Sequence, residues 1–153
     1  MKVTKILMVC LGNICRSPMA EGILRTKILA TGKKAIVDSA GTSNYHVGEN
    51  PDYRAIVTLR NKNIDISGLA GRQFSVSDFD EFDFIYAMDS SNYKNILALA
   101  RNENDKAKVD LIMNLVEPGS NRSVPDPYFG EHDGFEQVYK MLDAATEKII
   151  EKL

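Results

Sequence analysis

The chain has 153 residues, 44% of them hydrophobic and 26% charged, with a formal net charge of −2. That suffices for one domain with its own core, and the balanced charge argues against nucleic acid or a membrane surface as a partner. Every apolar run is too short to span a bilayer, and a cysteine pair, Cys10 and Cys15, can build neither a disulfide scaffold nor a zinc site by itself.

A reducing, cytoplasmic compartment is the expectation. Lys2 and Lys5 ahead of an apolar run imitate a signal peptide. Gly12-Asn13 and Arg16 interrupt that run, and no small-residue cleavage site follows, so the segment reads as part of the fold.

Residues 5–9 read as a strand buried on both faces, built on the apolar run from Ile6 to Val9. A tight loop follows, and then a helical pattern. Pro18 suits the first helical position and Ser17 the cap before it. Ala20, Ile23, Leu24, Ile28 and Leu29 share one stripe, and Gly32 stops the helix. Residues 35–38 read as a second strand, giving a right-handed strand–helix–strand unit. Ser39-Ala40-Gly41-Thr42 reads as the turn after it, emerging at the same sheet edge as the Cys10 loop if the strands are parallel.

Residues 43–51 form a loop carrying Tyr45 and His46. His46, like His132, reads as solvated surface. A helix over 52–62 turns Ala55, Ile56 and Leu59 inward and stops at Asn63. Residues 64–74 are irregular, and Ser77 caps a short helical turn. Residues 83–88 are the third strand, with Asp89-Ser90-Ser91 as the cap of a helix reaching Ala100. A charged turn at 102–106 leads to a fourth strand at 109–113. The long loop 114–134 holds Pro118, Pro125 and Pro127, and a last helix from about Phe135 buries Val138, Tyr139, Leu142, Ile149, Ile150 and Leu153. No repeat or linker divides the chain. The alternation predicts a single α/β domain over 1–153, with a four-stranded parallel sheet and helices on both faces, doubly wound and Rossmann-like. If the third strand pairs on the far side of the first, the Cys10 loop lies at the topological switch point, where such sheets bind ligands.

The stretch Cys10-Leu11-Gly12-Asn13-Ile14-Cys15-Arg16-Ser17-Pro18 carries the chemistry. A loop between a strand and a helix N-terminus offers amides and partial positive charge to an anion, which suits phosphate. It lacks the Gly-Lys pair of a Walker loop. Gly12 and Asn13 tolerate the positive φ that curling round an anion requires. Cys10 stands where the anion would sit, as a nucleophile beside a helix terminus. Arg16 adds a planar fork matching two phosphate oxygens. Attack on a phosphate monoester also needs an acid for the leaving group, worth about 10²–10⁴-fold. Asp126 is available in the long loop, its backbone held extended by Pro127. Alone, Asp126-Pro127 reads as a turn.

The loop resembles the active-site loop of the low-molecular-weight protein tyrosine phosphatases, whose signature is Cys-x5-Arg-Ser near the N-terminus. The resemblance spans the chain through Ser39-Ala40-Gly41-Thr42, Asn50-Pro51-Asp52-Tyr53-Arg54, Met88-Asp89 and Asp126-Pro127-Tyr128. It implies Cys10 as nucleophile, Asp126 as general acid and then base, and Arg16 with the loop Leu11, Gly12, Asn13, Ile14, Cys15 and Ser17 around the phosphate. Ser17 would also hydrogen-bond the Cys10 sulfur. Tyr45 and Tyr128 would flank the substrate ring, Ser39 would hydrogen-bond the catalytic loop and hold Asn13 in place, and Asp89 would lend support. The reaction implied passes through a phosphocysteine, uses no metal or cofactor, takes phosphotyrosine-containing proteins as substrates and is inhibited by its product, phosphate.

The chain departs from the family at two places. Phe129 stands where members often have a second tyrosine, and Leu69 where many have a histidine that supports the loop. A curled loop also brings Cys10 and Cys15 towards disulfide reach, which makes Cys15 a candidate resolving thiol for an oxidised Cys10. Three rivals are weaker. An arsenate reductase of this type needs cysteines outside the loop. A phosphocysteine carrier must keep its phosphate, which Arg16-Ser17 and Asp126 oppose. A phosphate-binding module without catalysis has no use for the full set of reacting residues.

Overall fold

The computed structural model describes residues 2–129 and 133–153. Its centre is β1 (Thr4–Cys10), paired in parallel with β2 (Ala35–Gly41) on one side and β3 (Phe84–Ala87) on the other. A further parallel strand, β4 (Val109–Leu111), lies outside β3, so the order is β2-β1-β3-β4. The period-two geometry of a strand divides β1 cleanly. Ile6, Met8 and Cys10 enter one apolar cluster, and Leu7 and Val9 enter another. The first cluster takes in α1 (Arg16–Thr31), α2 (Tyr53–Arg60) and α6 (Asp133–Lys152). The second takes in Phe79 of α3 (Asp78–Glu81) and Ile96 of α4 (Ser90–Leu97). The sheet is thus covered on both faces, as its near-continuous apolar strands require. Met8 is fully buried, and truncating such a side chain to alanine costs about 2–5 kcal/mol.

The chain leaves β1, crosses through α1 to β2, and returns to place β3 on the opposite side of β1. This makes the carboxyl end of β1 the switch point, and Cys10 is its last residue. In the β1–β2 register Cys10 stands opposite Gly41. A methyl group on Gly41 would come within 2.7 Å of the Leu11 carbonyl and 3.0 Å of the Gly12 carbonyl carbon. Only a residue without Cβ lets β2 approach the loop this closely.

Several local expectations are corrected. α1 begins at Arg16 and its N-cap is Cys15, with no side-chain cap bond. Ser17 is inside the first turn with Pro18 after it, because the Ser17 hydroxyl is used by the Cys10 loop. Leu29 is exposed, not buried. Ser39-Ala40-Gly41 belongs to β2 and not to a turn, since the ladder with β1 continues to Cys10. Ser77 precedes α3 without a side-chain cap bond. α4 ends at Leu97, short of Ala100. The charged stretch after it forms a short helix, α5 (Glu103–Ala107), because Asn102 accepts from the Asp105 amide and caps it. β4 stops at Leu111, where a 3₁₀ turn (Ile112–Leu115) takes over. Gly32, at φ 70°, ends α1 and donates to the Ile28 carbonyl, and Asn63 follows α2 at φ 63°. His132 lies outside the described residues.

Candidate active site

Residues 10–16 line a pocket of ≈ 170 Å³ through Cys10, Leu11, Gly12, Ile14, Cys15 and Arg16. The rest of its wall comes from Tyr45 and His46 in the loop after β2, and from Asp126 and Tyr128 in the long loop. Strand end, helix start and two distant loops therefore meet around one cavity. Tyr45 is 76% exposed, so it stands at the mouth and not in the floor.

Asn13 and Ser17 belong to the loop but turn their side chains away from the cavity. Their side chains lie behind the loop, buried, and neither lines the pocket. Asn13 sits at φ 58°, a left-handed conformation that asparagine tolerates better than most residues. Its Oδ1 accepts from the Arg72 amide at 3.0 Å, which fixes which end of the side-chain amide is which. Its Nδ2 then donates to Ser17 Oγ at 2.7 Å and to Ser39 Oγ at 2.9 Å.

The direction of the remaining bonds follows from what each group can do. Glu21, 2% exposed, accepts from Ser39 Oγ at 2.6 Å and from the guanidinium of Arg25, which itself donates to the Val37 carbonyl. A carboxylate only accepts, so Ser39 donates to it and keeps a lone pair for Asn13. Ser17 likewise accepts from Asn13, which leaves its proton for the Cys10 sulfur at 3.0 Å, with the Ala40 carbonyl next at 3.4 Å. The sulfur thus receives a hydroxyl donor. Arg72, bonded to Asp78 by both Nη atoms and to Asp38, holds the outer end of this network.

Arg16 is 2% exposed. Its Nη1 donates to Asp89 Oδ2 at 2.6 Å and to the Val124 carbonyl at 3.0 Å, and its Nη2 lies 3.7 Å from Asp126 Oδ2. Burial opposes its charge, but Cys10, Asp89 and Asp126 outweigh that and hold the guanidinium above its ordinary pKa. Asp89 serves twice, since its Oδ1 caps α4 through the Asn92 amide at 2.8 Å. The Arg16 Nε is buried with no hydrogen-bond partner among the described residues. A buried donor left unpaired is costly, and an oxygen of a bound phosphate in the pocket would satisfy it.

Cys15 shares the pocket but not the environment. Burial first, and then the negative charges of Asp52, Cys10 and Asp126, push its thiol far above the ordinary value. It stays neutral while Cys10 faces a donor and a cation. Asp126 is oriented by its own turn, accepting from the Tyr128 amide at 3.0 Å. Pro127 opens a 3₁₀ turn (Pro127–Phe129).

Sequence reasoning missed His46, read as surface. Its Nδ1 meets Glu49 Oε2 at 3.0 Å, its ring centroid is 6.3 Å from that of Tyr128, and a methyl on Gly12 would come 2.9 Å from its Cδ2. It also missed Glu21, Arg25 and Arg72. The first two had a signal, since Asn13, Ser17, Glu21 and Arg25 recur every four residues along one side of the helix start. The Leu69 side chain packs against the larger apolar cluster, and the network ends on the Glu21–Arg25 pair. Among the described residues no group of three or more His, Cys, Asp or Glu side chains could hold a metal ion, and no helix is long and apolar enough to cross a membrane.

Known proteins are similar to this one along nearly the whole chain. A putative low molecular weight protein-tyrosine-phosphatase of Synechocystis is 46% identical over 151 residues, covering 97% of this chain and 96% of its own length. The low molecular weight phosphotyrosine protein phosphatase of Schizosaccharomyces pombe is 41% identical, with 99% and 98% covered. A crystal structure of a protein tyrosine phosphatase from Entamoeba histolytica, with Hepes in its active site, superposes with a TM-score of 0.90 at 38% identity, covering 97% of this chain and 96% of that one. The model of the low molecular weight phosphotyrosine protein phosphatases matches residues 5–153, and the chain belongs to that family of phosphoric monoester hydrolases.

Proposed function

We propose that residues 1–153 form one phosphatase domain that hydrolyses phosphotyrosine in proteins through a phosphocysteine, without metal or cofactor. The observation that carries this reading is the convergence of Cys10, Arg16 and Asp126 on one pocket, with Ser17 on the sulfur. Cys10 attacks phosphorus in line, forming the S–P bond as the P–O bond to the tyrosine oxygen breaks. Asp126 gives that oxygen its proton. The Arg16 fork and the amides of Leu11 to Ser17 hold the equatorial oxygens, where charge is spread in the transition state. Asp126, now a carboxylate, takes a proton from the water that attacks phosphocysteine, and Cys10 leaves as thiolate with the Ser17 hydroxyl donating to it. Phosphate, the product, occupies the same cradle and so inhibits. Tyr45 and Tyr128 at the mouth suit a flat phenyl ring on a phosphate buried below it. A cytoplasmic site of action fits two thiols kept reduced.

The test is turnover of p-nitrophenyl phosphate and of a phosphotyrosine peptide in the presence of a chelator. Activity should persist, phosphate should compete, and Cys10→Ser should lose on the order of 10⁴-fold or more while retaining the fold. Metal-dependent turnover, or hydrolysis by the serine variant, ends the reading. The same reading makes Cys15 the thiol that captures a peroxide-oxidised Cys10. The Cys10 sulfenic acid would lose its oxygen as water when the Cys15 sulfur attacks, giving a disulfide. Cys15→Ser should then recover much less activity than wild type when peroxide is followed by dithiothreitol, and equal recovery leaves Cys15 as packing.

A further inference from the structure

Tyr128 is held through both of its peptide groups, in opposite directions. Its N–H donates to Asp126 Oδ1 at 3.0 Å, which sets the side-chain rotamer of the proposed acid. Its carbonyl accepts from Arg54 Nη2 at 3.0 Å. Arg54 is at the start of α2, and its guanidinium lies 5.7 Å from the Tyr128 ring centroid and 4.7 Å from that of Phe135. Such stacking restrains the plane of the fork as well as its position.

Arg54 is anchored in turn to the phosphate loop. Its Nε and Nη2 donate to the two oxygens of Asp52, each at 3.0 Å. Asp52 also accepts from the Arg54 amide at 2.9 Å, capping α2, and its own amide donates to the Ile14 carbonyl at 2.7 Å. Ile14 lines the pocket. A short path therefore joins the loop that holds phosphate to the turn that carries the acid: Ile14, Asp52, Arg54, Tyr128, Asp126. The hydrogen bond and charge of Asp52 hold the Arg54 guanidinium above its ordinary pKa.

We propose that Arg54 is a positioning residue for the leaving-group acid: by joining the Tyr128 carbonyl to Asp52, it sets the distance from Asp126 to the phosphate cradle. The proposal rests on the reading of Asp126 as general acid. The alternative is that Arg54 only steadies the start of α2. The two differ in what they do to leaving groups. A misplaced acid slows departure of a basic phenolate and matters little to p-nitrophenolate, which leaves without help. A loss of local stability slows all substrates alike.

The experiment measures kcat/KM for phenyl phosphate, phosphotyrosine and p-nitrophenyl phosphate in wild type, Arg54→Met, Asp126→Ala and the double variant. Methionine keeps an apolar stem between the two rings and removes the fork. Arg54→Met is expected to lose about 10–30-fold with phenyl phosphate and less than about 3-fold with p-nitrophenyl phosphate. In the Asp126→Ala background, Arg54→Met should change kcat/KM by less than about 2-fold, because it then has no acid to aim. If Arg54→Met does not fold, Arg54→Lys, which keeps the charge and cannot bridge Asp52 and the carbonyl as a fork, should show the same leaving-group dependence at reduced size. A loss equal across leaving groups, or one that multiplies with that of Asp126→Ala, overturns the positioning role. A profile for Asp126→Ala that is itself flat across leaving groups overturns the acid assignment instead.

Discussion

The cradle and the acid turn face each other across one pocket but are built on different terms. On the cradle side Asn13, Arg16 and Ser17 are 3%, 2% and 0% exposed, and each of their side chains is tied into bonds reaching β2 or α4. On the acid side Tyr128 is 40% exposed and is tied to α2 through its carbonyl. The first part is set by buried, mutually dependent hydrogen bonds, and such networks hold geometry at the cost of tolerating little change. The second is an outer turn on a few tethers. The proposed reaction would use both: a rigid site for the charge that develops on phosphorus, and an acid close enough to a leaving group whose size varies with the substrate.

Changes to the two sides should therefore leave different signatures. Arg16→Lys should have the larger effect of two cradle variants, about 10²–10³-fold in kcat/KM for every leaving group, because a point charge replaces a fork bonded to Asp89 and aimed at phosphate. Near-normal turnover of p-nitrophenyl phosphate would show that the fork is not used. Ser39→Ala should come next. It removes the acceptor of Asn13 and the donor of Glu21, so kcat/KM should fall about 10-fold, again equally for phenyl and p-nitrophenyl phosphates. A loss confined to phenyl phosphate would mean that the two sides are not independent.

The smallest effect is expected at the joint between them. Asp52→Asn keeps a good helix cap and removes the charge that Arg54 pairs with. The Arg54 hydrogen bond is the main cause that holds the Asp52 carboxyl below its ordinary value. A carboxyl lowered on folding adds stability above its unfolded pKa, and that contribution is lost as pH falls through the folded one. Arg54 is partly exposed, so solvent screening keeps the pair near about 1 kcal/mol or less, which is about 2–4 °C in melting temperature at neutral pH. The difference between wild type and variant should shrink below pH ~4 and close in stronger acid. A difference that stays constant down to pH ~2, well below the ordinary carboxyl range, would assign the effect to packing.

Much of this molecule could be read along the chain. The strand–loop–helix start around Cys10, the alternation that makes a parallel sheet, and the stops at Gly32 and Asn63 are all local signals, because propensity, period and positive φ are properties of short segments. The motif order from Cys10 to Asp126 named the family for the same reason, as such motifs are short runs of neighbouring residues. What no segment could decide was which side chain does which work. From local signals alone Ser17 reads as a cap, Ser39 as a turn and His46 as surface; the family resemblance implied that Ser17 meets the sulfur and that Ser39 holds the loop, as the structure has it, while His46 is a pocket wall that neither foretold. Each reading chose the role available within a few residues, while the actual partner lies up to 108 positions away, as for Arg16 and the Val124 carbonyl. The four-residue series Asn13, Ser17, Glu21, Arg25 stands between the two cases. Its period was visible in the sequence, but its meaning required the position of Ser39, which only the β1–β2 register supplies. Local sequence determined the elements and picked out the candidate reacting groups. Tertiary structure determined the direction of every buried hydrogen bond, because a hydroxyl or amide takes its role from what it faces.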